Sequence, residues 1–78
     1  MEYRNLENLK ETLLEHAQEL LKGLRNSEYT VQEISESSGI HQQQIYAYKD
    51  NRRNINNARF ETLIKFENAY IYINNKQN

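Results

Sequence analysis

Residues 41–53 read HQQQIYAYKDNRR, and the side chains best able to do chemistry are gathered there. Gln42, Gln43 and Gln44 stand in a row. A glutamine amide offers a donor and an acceptor side by side, the pair that fits N6 and N7 of adenine in the major groove of DNA. Gln42 and Gln43 are the first candidates for such a contact, with Gln44 behind them. Tyr46, one turn later, can touch a base methyl or a phosphate, or be partly packed. Ala47 can lie against a thymine methyl, or simply be small. Lys49, Arg52 and Arg53 follow, and cations there would neutralise phosphates and release counterions. His41 can contact a phosphate or act as a weak helix cap. Plainer readings stand beside these: glutamine is ordinary on a polar face, and a charged loop keeps a small domain in solution.

Catalysis finds no support in the residue types. There is no cysteine, and Ser35, Ser37 and Ser38 have no acid–histidine pattern beside them. No glycine-rich phosphate loop is present. The two histidines, His16 and His41, fall on separate helices and make no metal ligand set. The expectation is a protein that is not an enzyme and carries neither metal nor cofactor.

The elements that must position these residues are helices. The chain has 78 residues, no proline, and glycine only at Gly23 and Gly39, so it has few places to turn sharply. Leu6, Leu9, Leu13, Ala17, Leu20 and Leu24 recur at helical spacing over residues 5–25, with Leu14 and Leu21 widening the stripe. Glu7, Glu11, Glu15 and Glu19 form a solvated ridge opposite, and Asn5 is a plausible N-cap. Thr30 and Glu33 fit a capping box that opens a short helix over about 31–38, with Val31 and Ile34 inward. Gly39 then takes the left-handed cap. A third helix over about 41–49 turns Ile45 and Tyr48 inward. Asn56 or Asn57 caps a fourth helix, whose apolar faces come from Phe60, Leu63, Ile64 and Phe66, with Tyr70 beyond. The segment Ala69–Asn75 alternates, which fits a short strand as well as a last helical turn, and the final residues are expected to fray. The fold class is all-α: one small helical bundle of four to five helices spanning 1–78.

Net charge is −1, but its distribution is uneven: residues 1–40 carry four basic and eight acidic groups, residues 41–78 six and three. The positive end begins where the glutamines begin, and such asymmetry is more telling than the total. The N-terminus does not read as a signal peptide and no apolar run approaches a membrane span. A cytoplasmic protein is expected, and a 37% hydrophobic chain of this length would gain from a partner or a second copy.

Residues 20–55, LLKGLRNSEYTVQEISESSGIHQQQIYAYKDNRRNI, resemble the phage repressor and Cro type of helix-turn-helix, also called XRE-like. The likeness extends over about residues 20–66. It implies a lambda-repressor-like fold in which Thr30–Ser38 is the second helix, Gly39 the turn, and 41–49 the recognition helix lying in the major groove. It places the base-reading side chains at residues 41–43 and a basic loop at Asn51–Ile55, so that Asn54 joins Arg52 and Arg53 near phosphates. Thr30, where helix amides are free, and Arg59, early in the fourth helix, are further phosphate candidates. Three positions depart from the pattern. Ser38 is polar where an apolar residue is usual. Asn51 stands for a helix-closing glycine. Lys49 replaces a glutamate that would pair with Arg25, which must therefore find another acid or stay solvated.

Two functions follow as expectations. One is a repressor-like transcriptional regulator that binds double-stranded operator DNA as a homodimer, with Tyr70–Ile73 as the favoured dimer surface. The other is a protein-binding adaptor, antitoxin-like subunit or inhibitor on the same fold. The acidic first half and the aromatic tail support the second.

Overall fold

The leucine stripe does form a helix: α1 spans Leu6–Arg25 in a computed structural model that describes residues 6–77. The expected cap at Asn5 and the side chains of Leu6 and Glu7 lie outside the described residues. Burial of the stripe begins at Leu13 and continues through Ala17, Leu20, Leu21 and Leu24, while Leu9 is 44% exposed. The apolar period thus outruns the neighbours available to cover it. Glu11, Glu15 and Glu19 are exposed, as a ridge should be.

The end of α1 closes without glycine. Glu28 N–H donates to Gly23 O at 2.9 Å and Ser27 N–H to Leu24 O at 3.1 Å, with Ser27 left-handed at φ 60°. That pair of bonds is the Schellman arrangement, which satisfies carbonyls a helix end would otherwise leave free.

Helix α2 spans Val31–Ser38, and both halves of its capping box are made. Gly39 closes it at φ 82°, ψ 10°, and its N–H donates to Ser35 O at 2.8 Å. The polar residue at Ser38 is buried but satisfied, because its Oγ accepts the Ile40 N–H at 3.0 Å. Ser35 Oγ reaches across the turn to Ile40 O at 2.6 Å, so two short hydroxyls brace the bend from inside. A side chain at 39 would meet no atom within 4 Å. Any cost of replacing Gly39 therefore comes from its backbone angle alone. We expect Gly39→Val to destabilise by about 1–2 kcal/mol or more, since a β-branched residue is a genuine outlier in that region. A melting temperature equal to that of the parent protein would show that the turn does not need glycine.

Helix α3 spans Gln42–Lys49, one residue shorter than the sequence suggested. His41 is its N-cap but makes no side-chain cap bond, so its weak capping role is not seen. The last helix also starts later than expected. Asn54, not Asn56 or Asn57, acts as a cap: its Oδ1 accepts the Asn56 N–H at 2.9 Å and opens a 3-10 turn at Ile55–Asn57. Helix α4 then runs Phe60–Gln77, and Arg59 sits just before it rather than within it.

The tail is helix to Gln77 rather than strand, the described residues hold no strand, and Asn78 lies outside them. The helical period sorts its apolar residues. Leu63, Phe66, Ala69 and Ile73 are buried and Tyr70 is half-buried, whereas Phe60, Ile64, Ile71 and Tyr72 face outward. The expectation that Phe60 and Ile64 join the core fails because they lie off the stripe set by residues 63, 66 and 73.

All four helices feed one core. The principal contact is α1 with α4, and α4 also packs on α2, while α3 rests on α2 and α1. Polar struts reinforce the long pair. The His16 ring stacks on Tyr70 at 3.9 Å and 7°, and its Nδ1 lies 2.7 Å from Glu67 Oε1. Tyr70 Oη donates to Glu19 Oε1 at 3.1 Å.

Candidate nucleic-acid interface

Helix α3 is anchored by Ile45 and Tyr48, both buried, with Tyr48 meeting Phe66 edge to face at 5.8 Å. With 100° per residue, that leaves Gln42, Gln43, Tyr46 and Ala47 on the outer side. The first three are exposed and Ala47 is half-buried. Four of the five residues expected to face bases therefore share one surface. Gln44 does not. It is half-buried and turned to the flank, where it lines a polar groove of about 250 Å³ with Arg53, Asn57, Arg59, Glu61 and Thr62.

The cations are arranged around this helix, each with an intramolecular neighbour. Lys49 Nζ lies 5.7 Å from the Tyr46 ring centre. Arg53 stands 5.8 Å from the Tyr48 ring. Arg52 is 3.5 Å from Asp50, and Arg59 is 4.0 Å from Glu61. The two ion pairs are well exposed, and such pairs contribute about 0–1 kcal/mol, so a phosphate can displace them readily. Arg53 and Arg59 meet in the groove that also holds Gln44, a juxtaposition spacing alone did not reveal.

Two expectations need correcting. Thr30 does not offer a free backbone N–H to a phosphate. Its N–H donates to Glu33 Oε1 at 3.2 Å, and its Oγ1 accepts the Glu33 N–H at 3.1 Å. Glu28 and Glu33 line a groove beside that end of α2, where Lys76 pairs with Glu33 and leaves the Glu28 carboxylate without a cation in the groove. The cap that makes the helix start so cleanly uses two of its amides, those of Thr30 and Glu33. Asn54 likewise spends its side-chain oxygen on the 3-10 turn, although its amide N–H₂ stays available.

Arg25 is exposed but finds no acid, and it is not left free in solvent. Its Nε donates to Lys49 O at 2.9 Å, and its Nη2 to Tyr48 O at 3.2 Å and to Asn51 Oδ1 at 3.1 Å. Asn51 is left-handed at φ 63°, a region asparagine tolerates better than most residues. Its N–H returns to Tyr48 O at 3.2 Å, and the N–H groups of Arg52 and Arg53 return to Ala47 O at 2.8 and 3.0 Å. The basic loop is thus folded back onto the end of α3. Nothing in the local pattern around Arg25 could have named these partners, which lie about a third of the chain away.

Asp50 was also missed as part of this surface, although its place two residues before Arg52 was visible. Among the described residues no helix is long and apolar enough to cross a membrane. Compared with family models, with curated proteins and with solved structures, the chain finds no match.

Proposed function

We propose that this protein is a sequence-specific DNA-binding regulator of the repressor kind, acting by binding rather than catalysis. Helix α3 lies in the major groove with Gln42 and Gln43 reading base edges, and Tyr46 and Ala47 beside them. Lys49, Arg52, Arg53 and Arg59 hold the backbone, with His41 and Asn54 as lesser contacts and Gln44 at the flank. The observation that carries this reading is the braced α2–Gly39–α3 turn presenting an uncharged amide face, followed at once by a loop of arginines. Such a role belongs in the cytoplasm, where the DNA is.

Base contacts and phosphate contacts fail differently. With an operator selected from a random pool by the purified protein, Gln42→Ala or Gln43→Ala should each weaken operator binding by about 1–3 kcal/mol and leave random DNA almost untouched. Arg52→Ala or Arg53→Ala should weaken both DNAs alike and lower the salt slope by about one counterion each. Gln44→Ala should do less than its neighbours. A pool that yields no enriched sequence removes the reading.

The regulator binds as a homodimer on two half-sites one DNA turn apart. The dimer surface assigned to Tyr70–Ile73 has to be narrowed, because Tyr70 and Ile73 belong to the core. Ile71 and Tyr72 remain of it, and Phe60 and Ile64 extend the Ile71 stripe along the outer face of α4. Sedimentation should show a dimer on operator DNA, and Ile64→Asp with Ile71→Asp should reduce it to a monomer. A monomer in the parent complex would reject this arrangement.

A second reading, an adaptor that binds a protein instead of DNA, is favoured by one feature. A groove of about 320 Å³ between α2 and α4 is lined by Glu33, Glu36, Ser37 and Tyr72; Lys76 pairs with Glu33 and leaves Glu36 as the carboxylate a basic partner would meet. The selection experiment separates the two.

A further inference from the structure

We propose that Arg25 is a positioning residue for DNA recognition, one that locks the reading helix and the phosphate-binding loop into a single rigid unit without touching DNA itself; the proposal rests on the DNA-binding reading above. The last turn of a helix leaves carbonyls unpaired and carries the negative end of the helix dipole. At the end of α3 most of these carbonyls are taken by the returning loop: Tyr46 O by Asp50 N–H, Ala47 O by Arg52 and Arg53 N–H, Tyr48 O by Asn51 N–H. Arg25 Nε supplies a donor to Lys49 O and Nη2 adds a second to Tyr48 O. The same Nη2 also holds Asn51 Oδ1, the side chain of the residue whose left-handed backbone turns the loop.

One guanidinium therefore grips three groups: two carbonyls of the recognition helix and the hinge of the basic loop. It projects from the last turn of α1, the helix that forms the principal packing contact with α4. The relation between Gln42 and Gln43 on one side and Arg52 and Arg53 on the other is thus referred to the core rather than left to an eight-residue helix. A planar fork with several donors is needed, because an ammonium cannot span both carbonyls and the amide with the same fixed geometry. Lys49 offers Arg25 no carboxylate, and the backbone oxygens of Tyr48 and Lys49 are what it holds.

The test compares Arg25→Ala and Arg25→Lys with the parent chain in two measurements. The first is amide hydrogen exchange at Asp50, Asn51, Arg52 and Arg53, read against core amides such as those of Leu20 and Ile34, which report global opening. The second is binding to selected operator and to random DNA across a salt series. Arg25→Ala should lose protection at the four loop amides while the core amides keep theirs. Its operator affinity should fall about tenfold, because part of the binding energy must then order the loop, with the salt slope unchanged. Arg25→Lys should fall between the two. Unchanged loop protection with a salt slope lower by about one counterion would make Arg25 an ordinary phosphate contact and overturn the proposal. Lost loop protection with unaltered operator affinity would overturn it as well. If the parent chain selects no DNA, the DNA-binding reading fails and the positioning role with it, while the exchange measurement still shows whether the clamp holds the loop. Should Arg25→Ala fail to fold, the Lys variant carries both measurements.

Discussion

Gly23→Ala should destabilise this protein by roughly 2 kcal/mol, although in an ordinary exposed helix interior the same change stabilises by about 1 kcal/mol. Gly23 lies in α1, buried, and its missing side chain makes room for Tyr29. A Cβ at 23 would overlap the Tyr29 Oη and Cζ and stand 2.8 Å from Cε2. The ring cannot retreat cheaply, because its hydroxyl donates to Leu20 O at 2.9 Å and its face packs against the core. Burial first, and then the Glu28 and Glu19 carboxylates, push the phenol up to about 12, so the neutral, donating form is the one the fold holds. The sign for pH follows. The contribution is present below the ordinary value of 10.0 and is lost as pH rises through about 12. Tyr29→Phe should remove that part of the alkaline loss. Denaturant titrations of a double-mutant cycle decide the cause. With Tyr29→Ala in place, Gly23→Ala should turn stabilising, since nothing is left to collide with. A higher melting temperature for the Gly23→Ala single variant would defeat the account.

Phe66→Ala should be the most damaging single truncation. Phe66 is fully buried, and its ring carries the edge of Tyr48, the anchor of α3. Emptying such a site typically costs about 3–5 kcal/mol, transfer and cavity together. A domain of this length has on the order of 4–12 kcal/mol in all, so the variant should be largely unfolded at moderate temperature. Phe60 is the internal control. It is on the same helix, of the same type, and 44% exposed. Phe60→Ala should change stability by no more than about 0.5 kcal/mol in the isolated chain. Far-ultraviolet circular dichroism through a thermal melt reads both. Equal losses at 60 and 66 would mean that the core is placed wrongly. Because Tyr48 leans on Phe66, a partly folded Phe66→Leu variant should also loosen α3 before it loosens α1.

Signals that act within a few residues were legible in the sequence alone. A leucine every three or four positions makes α1 because side chains at those spacings share a face whatever surrounds them. Thr30 and Glu33 satisfy each other's amides across one turn, and Gly39 accepts an angle that other residues resist. The outward position of Gln42, Gln43 and Tyr46 followed from Ile45 and Tyr48 facing inward, again within one turn.

What only the tertiary structure decided involves partners far apart in the chain. Arg25 meets residues 48–51, His16 meets Glu67 and Tyr70, and Arg53 shares a groove with Arg59. A periodic pattern says that a residue faces inward or outward but not what it faces, so Arg25 read as a cation lacking its acid. The same limit explains Leu9, Phe60 and Ile64, apolar residues at helical spacing that the fold leaves uncovered. Whether a stripe is buried depends on where the neighbouring helix ends, and that is a property of the assembled bundle. Thr30 shows the converse. Its capping box and its phosphate-site reading were both legible in the chain, and both draw on the Thr30 and Glu33 amides. Lys76, brought in from α4, pairs with the capping Glu33, a partner that no local pattern names.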